Sequence, residues 1–264
     1  MTYTNINGVQ MDNVLAQSIP RIRHDVLKRD RDKVLVVDGR EGTGKSVFAM
    51  QLAKSLDADF SADKIFFNHE TFIKGLKDPN RKKGDCILLD EAFSSASSRA
   101  SMSSINRAMI TVATEMRQLN LFVIIVLPSF FDLDKYFAIW RCETLFHVYF
   151  NKQGKRGQYI IFPFNKKKYL YINGKKHYTY GCVKSPYPPC QFTKTYVVDE
   201  AEYRAKKARA FRKREISDNM KKVKDRFVIL LNYLKTRHQT TDKEMGEVLG
   251  IDSDTVQKYR TGKR

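Results

Sequence analysis

The stretch Lys33-Val34-Leu35-Val36-Val37-Asp38-Gly39-Arg40-Glu41-Gly42-Thr43-Gly44-Lys45-Ser46 decides the fold class. Val34 to Val37 run without polar interruption, the composition of a strand buried on both faces of a parallel sheet. Gly39 to Ser46 fits G-x-x-x-x-G-K-[ST] in full. Val47, Phe48, Met50, Leu52 and Ala53 then take up helical spacing, which predicts a helix over Ser46 to Leu56. Strand, glycine loop and helix are the context that gives this motif its chemistry. Gly39, Gly42 and Gly44 let the backbone of the loop, Thr43 included, curl so that amide hydrogens face phosphate oxygens. The helix start adds unpaired N–H groups and its dipole. Lys45 is expected on the β and γ phosphates and Ser46 on magnesium, so ATP or GTP with Mg2+ is the expected ligand.

Working outward, Asp12 to Arg29 reads as one helix, with Pro20 marking a first turn or a kink. Lys64 to Phe67, Cys86 to Asp90 and Leu121 to Leu127 read as further strands, and Glu70 to Leu76 and Ile105 to Gln118 as helices. Ala92 to Ser104 has the serine-rich composition of a loop. Strands alternating with helices predict an α/β domain with a mainly parallel sheet, a P-loop NTPase core over residues 1–150.

Asp90 ends a buried strand, where a carboxylate directed at the metal belongs, and Glu91 beside it can polarise a water for attack on the γ-phosphate. A capping role is the plain alternative for Glu91. Ser129 follows the most hydrophobic strand and is placed to touch the γ-phosphate or the attacking water, although a serine there is also an ordinary turn residue. Arg107, Arg117 and Arg141 are the candidates for an arginine acting across a subunit boundary, since a guanidinium suits developing phosphoryl charge. Each is equally a surface cation.

Beyond Thr144 the pattern changes. Thr144 to Phe150, Gly157 to Phe164, Lys168 to Ile172 and Lys176 to Tyr180 read as aromatic strands. Asn173-Gly174 is the expected hairpin turn, giving a β-hairpin extension and a Pro-containing linker over 151–198. Their aromatic residues either pack against the core or stack on bases. Residues 199–264 are expected to form a basic helix, Asp199 to Ile216, and a helical unit. In that unit Thr241 and Glu244 make a capping box ahead of a Gly250 turn and a last helix from about Ser253. Such a spacing is similar to a helix-turn-helix, or to a small helical hairpin for protein contact. Arg204, Lys206, Lys207, Arg209, Arg212, Lys213 and Arg214 suit phosphate contact, and Thr255, Gln257, Lys258 and Arg260 would line the recognition helix.

Charge supports that division. The 264 residues hold 48 Lys plus Arg against 29 Asp plus Glu. Residues 1–150 carry 20 basic and 18 acidic side chains, and residues 151–264 carry 28 and 11. A neutral first part and a strongly cationic second part point to a polyanion, DNA in this reading, handled by the second. The longest apolar run, Leu121 to Pro128, is far short of the roughly 20 residues of a membrane span. Four cysteines match neither a disulfide framework nor a zinc spacing, and the start lacks the pattern of a secretory signal. A reduced, cytoplasmic protein is expected, in the host cytoplasm if viral.

Gly39 to Ser46, Ile87 to Glu91, and Met116-Arg117-Gln118-Leu119-Asn120-Leu121 leading to Ser129 and Leu133-Asp134 together resemble additional-strand, catalytic-glutamate P-loop ATPases. The resemblance is to the HerA/FtsK superfamily, in particular its zonula occludens toxin-like and viral DNA-packaging members, and covers about residues 30 to 150. It implies a homo-oligomeric ring that pulls DNA, with hydrolysis at Lys45, Ser46, Asp90 and Glu91. Ser129 stands where that superfamily often has glutamine. The expected function is an ATP-dependent DNA motor for translocation or packaging in a virus or mobile element, with a phage, plasmid or replication protein as a further partner. The alternatives are an ATPase switch for helicase loading, replication or transposition, and a nucleotide-regulated DNA-binding protein.

Overall fold

The computed structural model describes residues 2–90 and 119–261. They fall into two compact units, Met1–Arg204 and Ala205–Arg264. Among the described residues no helix is long and apolar enough to cross a membrane.

The first unit opens with a two-stranded antiparallel hairpin, β1 (Tyr3–Ile6) and β2 (Val9–Asp12). Its turn is Asn7-Gly8, with φ of 52° and 80°. Two successive positive φ values match the right-handed twist of the strands, which is why Asn-Gly is favoured there. The Asn7 amide clamps the turn by donating to the carbonyls of Lys54 and Ser55 at 3.0 and 3.2 Å. The continuous helix expected over Asp12 to Arg29 is therefore corrected. Asp12 ends β2, and its carboxylate accepts from the Val14 amide to cap α1 (Asn13–Ala16). After a break at Gln17, α2 (Ile19–Lys28) starts with Pro20 in its first turn, where a missing N–H costs nothing.

The central sheet has seven strands in the order β4-β5-β6-β3-β7-β8-β9. Here β3 is Lys33–Asp38, β4 Ile65–Phe66, β5 Cys86–Leu89, β6 Phe122–Val126, β7 Cys142–Tyr149, β8 Gln158–Pro163 and β9 Cys190–Gln191. From β4 to β7 the pairing is parallel, and β8 and β9 add antiparallel strands. Every residue of β3, β5 and β6 is buried, as their unbroken apolar runs require.

One sheet face, through Val34, Val36, Val123 and Ile125, packs on Phe72, Phe130, Phe137 and Leu170. The other lies under α3 (Lys45–Leu56), whose Phe48 meets the rings of Phe146 and Tyr159 at 5.5 and 4.3 Å. Helix α4 (His69–Leu76), capped by Asn68, precedes β5.

Residues 151–198 differ from expectation. The β7–β8 hairpin is not an extension but a continuation of the central sheet. The strand and hairpin turn expected around Lys168 to Gly174 are a helix, α5 (Phe164–Gly174), and Gly174 has ordinary helical dihedrals. The physical reason is its inner face, where Lys167, Leu170, Tyr171 and Gly174 recur at helical spacing and are buried. Two of the four are not apolar, which hides the period. Gly174 serves close packing, since a Cβ there would stand 2.4 Å from the Thr179 carbonyl oxygen and 2.9 Å from the Phe131 ring.

The second unit is helical. A single helix, α6 (Glu200–Arg237), runs well past Ile216, where the expected basic helix ended; its first turn belongs to the first unit. α7 (Asp242–Leu249) begins with the capping box of Thr241 and Glu244 and ends at Gly250 in the left-handed region. α8 (Ser253–Thr261) follows. Leu231, Met245 and Val256, one from each helix, form the buried core, with Phe227, Leu234 and Ile251 packed around it. Asp242 bridges Lys235 at 2.7 Å and Arg260 at 3.3 Å.

Candidate nucleotide site

The strand order places the glycine loop in a crevice. From β3 the chain leaves toward β4, β5 and β6 on one side, and β7 flanks β3 on the other. Ligands of open α/β sheets bind at the carboxyl ends of strands where the order reverses in this way. Strand β6 separates β3 from β5.

Three glycines shape the loop. Gly39 at φ 139° passes so close to β7 that a Cβ would lie 2.0 Å from the Val148 carbonyl oxygen. Gly42 and Gly44 have φ of 76° and 98°, which L side chains rarely adopt. Thr43 is fully buried and its hydroxyl donates to the Arg40 carbonyl at 2.8 Å, closing the loop from within. The Lys45 ammonium donates to the carbonyls of Gly39 and Arg40 at 2.7 and 2.8 Å. The ammonium thus folds back on the start of the loop whose end Lys45 forms.

Ser46, on the first turn of α3, donates to Asp90 Oδ1 at 3.0 Å. Asp90 directly follows β5, is fully buried, and its amide donates to the Phe66 carbonyl at 2.8 Å. Hydroxyl and carboxylate thus meet from residues 44 apart. Among the described residues no three His, Cys, Asp or Glu side chains converge as a protein-only metal site. A hydroxyl and one carboxylate suit magnesium, which keeps water and phosphate oxygens as its remaining ligands.

Three features lie outside the sequence-based expectation. Tyr203, 4% exposed on the first turn of α6, donates its hydroxyl to Asp90 Oδ2 at 2.5 Å. Phe67 and Tyr196 hold its ring at 5.7 and 6.0 Å. Asp38, the residue before the loop, is fully buried; it accepts from the Phe130 amide at 2.8 Å, from the Tyr180 hydroxyl, and from His147 Nδ1–H at 2.8 Å. Burial, followed by the Asp38 charge, pushes the Tyr180 phenol well above its usual range. Arg156 and Phe150 stand over the loop, where a Cβ at Gly42 would lie 3.7 Å from Arg156 Nη2 and 3.9 Å from the Phe150 ring. A positive, glycine-rich β7–β8 turn was the available signal for Arg156; nothing local marks Tyr203 or Tyr180.

Ser129 lies at the same sheet edge and caps the 3-10 turn Phe130–Asp132, accepting from the Phe131 amide at 3.3 Å. Arg141 is not brought there. It sits at the opposite edge, beside the start of β7, in an ion pair with Asp32 at 2.5 Å, and its side chain is 15% exposed. A guanidinium held in this way is taken up inside its own chain. Glu91, Arg107 and Arg117 lie outside the described residues.

In α6, Arg204 is bound to Glu200 at 2.6 Å, while Arg209, Arg212 and Lys213 are exposed. Lys207 lies 5.7 Å from the Phe211 ring and Lys206 is half-buried; the side chain of Arg214 lies outside the described ones. On α8, Thr255 is engaged with Asp252 and Arg260 with Asp242, which leaves Gln257 and Lys258 exposed.

No family model matches the chain, and neither does any curated protein. Among solved structures the chain is similar to the N-terminal domain of zonular occludens toxin from Neisseria meningitidis, at 14% identity and a TM-score of 0.34, over 50% of this chain and 84% of that one. It is also similar to the genome packaging NTPase B204 from Sulfolobus turreted icosahedral virus 2, at 13% identity and a TM-score of 0.35, over 52% and 94%. A third similarity, to the DnaC helicase loader, has 20% identity and a TM-score of 0.28 over 49% and 75%.

Proposed function

We propose that this chain is a magnesium-dependent ATPase acting on DNA, working as a homo-oligomeric motor for translocation or packaging. The observation that carries the nucleotide half is the joining of Ser46 to Asp90 at the mouth of a glycine loop that holds Lys45. Lys45 would hold the nucleotide through its phosphate oxygens, and Ser46 with Asp90 would hold the magnesium that neutralises phosphate charge. Glu91, next to Asp90, is the proposed base for water, with Ser129 at the γ-phosphate edge. Arg107 or Arg117 is the proposed trans-acting arginine; Arg141 is omitted because Asp32 holds it at the far edge. DNA is assigned to the basic second unit, through Arg209, Arg212 and Lys213 on α6 and Gln257 and Lys258 on a helix-turn-helix-like α8.

A second reading, a nucleotide-dependent switch without sustained translocation, draws on Tyr203, which connects the metal carboxylate to the first turn of α6. One set of measurements tests both. Lys45→Ala should lose nucleotide binding, and Glu91→Gln should bind and fail to turn over. DNA should stimulate phosphate release by the native chain. Turnover retained in Glu91→Gln would remove Glu91 as base. A DNA-dependent nucleotide affinity with no stimulated turnover would favour the switch. Mixing Arg107→Ala or Arg117→Ala subunits with Glu91→Gln subunits tests the trans arginine, and activity regained in the mixture is the expected result.

A further inference from the structure

The outer face of α5 carries side chains that the core does not use. Tyr159, Phe162 and Tyr171 from the same part of the sequence are buried and do the packing. Tyr169, Ile172 and Trp140 are 59%, 53% and 57% exposed. On α5, Lys166, Tyr169 and Ile172 share one face by helical spacing, and Lys176 extends it into the following turn. Lys168, next to Tyr169 in the chain, lays its ammonium 4.6 Å from the centroid of the Trp140 ring, which sets the tryptophan beside α5.

The platform is built to be rigid. Beneath it Lys167 is fully buried and donates to the Ile139 carbonyl at 2.6 Å and to that of Ala138, pinning the backbone around Trp140 to α5. Tyr171 donates its hydroxyl to the Leu133 carbonyl at 2.8 Å. The segment that carries the platform is cationic, since residues 151–198 hold ten Lys and Arg and no Asp or Glu, while Glu143 on β7, whose charge acts on Lys167, is paired with Lys33 at 3.0 Å. A second copy of the same face would be repelled by this cationic segment. An anionic lipid surface would need a broad aliphatic stripe, and this face offers one isoleucine.

Aromatic rings set among lysines match a strand whose bases are unpaired: π faces for the bases and cations for the phosphates. We propose that the Trp140–Tyr169 face of the first unit binds single-stranded nucleic acid, independently of the basic second unit. The proposal deepens the reading of nucleic acid as partner and rests on that part of it. Duplex DNA keeps its bases stacked and offers no rings to this surface.

Trp140 is the only tryptophan in the chain, so its fluorescence reports on this face alone. The full chain should be titrated with an oligothymidylate of about 15 nucleotides, long enough for a small single-strand site. A duplex of equal length, inorganic polyphosphate and phosphatidylserine vesicles serve as parallel ligands, and total binding is followed by anisotropy of the labelled DNA. The expected result is saturable quenching of Trp140 by the single strand, with little from duplex or polyphosphate. Tyr169→Ala should weaken single-strand affinity by about tenfold, the loss of one stacked base. Lys166→Gln should lower the slope of log affinity against log salt by about one unit.

Single-strand binding that leaves Trp140 emission unchanged overturns this proposal and leaves the second unit as the binding module. Equal quenching by polyphosphate or by vesicles overturns it as well. Failure to bind either strand form overturns it together with the DNA half of the proposed function, while ATP binding tested through Lys45→Ala stands apart.

Discussion

Asp38 and Asp90 invite comparison. Each stands at the carboxyl edge of the parallel sheet, at the ends of β3 and β5, each is fully buried, and each accepts from a tyrosine hydroxyl supplied by a later segment. They differ in what else they hold. Asp38 is occupied by the Phe130 amide and His147, groups that belong to the frame. Asp90 turns its other oxygen to Ser46, on the helix that opens from the glycine loop. A carboxylate saturated by framework donors stabilises a fold, whereas one paired with an exchangeable hydroxyl can change partners when a cation arrives.

The sharpest way to break the comparison is Asp38→Ala. It leaves the Phe130 amide, the Tyr180 hydroxyl and His147 without their common acceptor, so stability should fall by about 4 kcal/mol. Denaturant unfolding of the full chain reads this directly, and an unchanged midpoint would show that Asp38 is no strut. Asp90→Asn should do the reverse. It keeps its shape, so unfolding should move little, while magnesium-dependent turnover should drop by about 100-fold. Turnover at the native level would remove Asp90 from the metal site.

The tyrosines sharpen the comparison at smaller scale. Tyr180→Phe and Tyr203→Phe each delete one hydroxyl, worth about 1 kcal/mol. For Tyr180 the loss should appear in stability alone. Under the proposed function Tyr203 positions Asp90, and its loss should shift the magnesium concentration giving half-maximal turnover by several-fold. A Tyr203→Phe protein with a native magnesium curve would make that contact purely structural.

Asp242 supplies the smallest effect. In the second unit the Lys235 hydrogen bond, opposed by slight burial and helped by Arg260, holds its carboxyl below the usual range. A depressed folded-state value means stability that is present above the ordinary carboxylate range and is lost as pH falls through the depressed one. Helicity followed on acidification should decline less steeply in Asp242→Asn than in the native chain.

The two Asn-Gly pairs show where local signals stop. Asn7-Gly8 forms the hairpin turn that such a pair favours, while Asn173-Gly174 ends a helix, because Lys167, Leu170, Tyr171 and Gly174 bury one face against the sheet. A burial pattern that includes a lysine and a glycine is not recognisable as hydrophobic periodicity. Likewise Ser129 carries two readings, a contact to the γ-phosphate and an ordinary turn residue, and the structure shows it capping the Phe130 turn.

What the sequence determined by itself was contiguous. Val34 to Ser46 specifies a buried strand, a loop of positive φ and a helix start within one short stretch, since backbone freedom and amide direction are local properties. The strand positions of β5 and β6 followed from unbroken apolar runs for the same reason. Only the tertiary structure decided which side chains would face that loop. Tyr203 meets Asp90 across 113 residues and Tyr180 meets Asp38 across 142, and Arg141 is carried to the opposite edge by the direction of β7. Such pairs are set by strand order and by the volumes that close the core, which no neighbouring residue encodes.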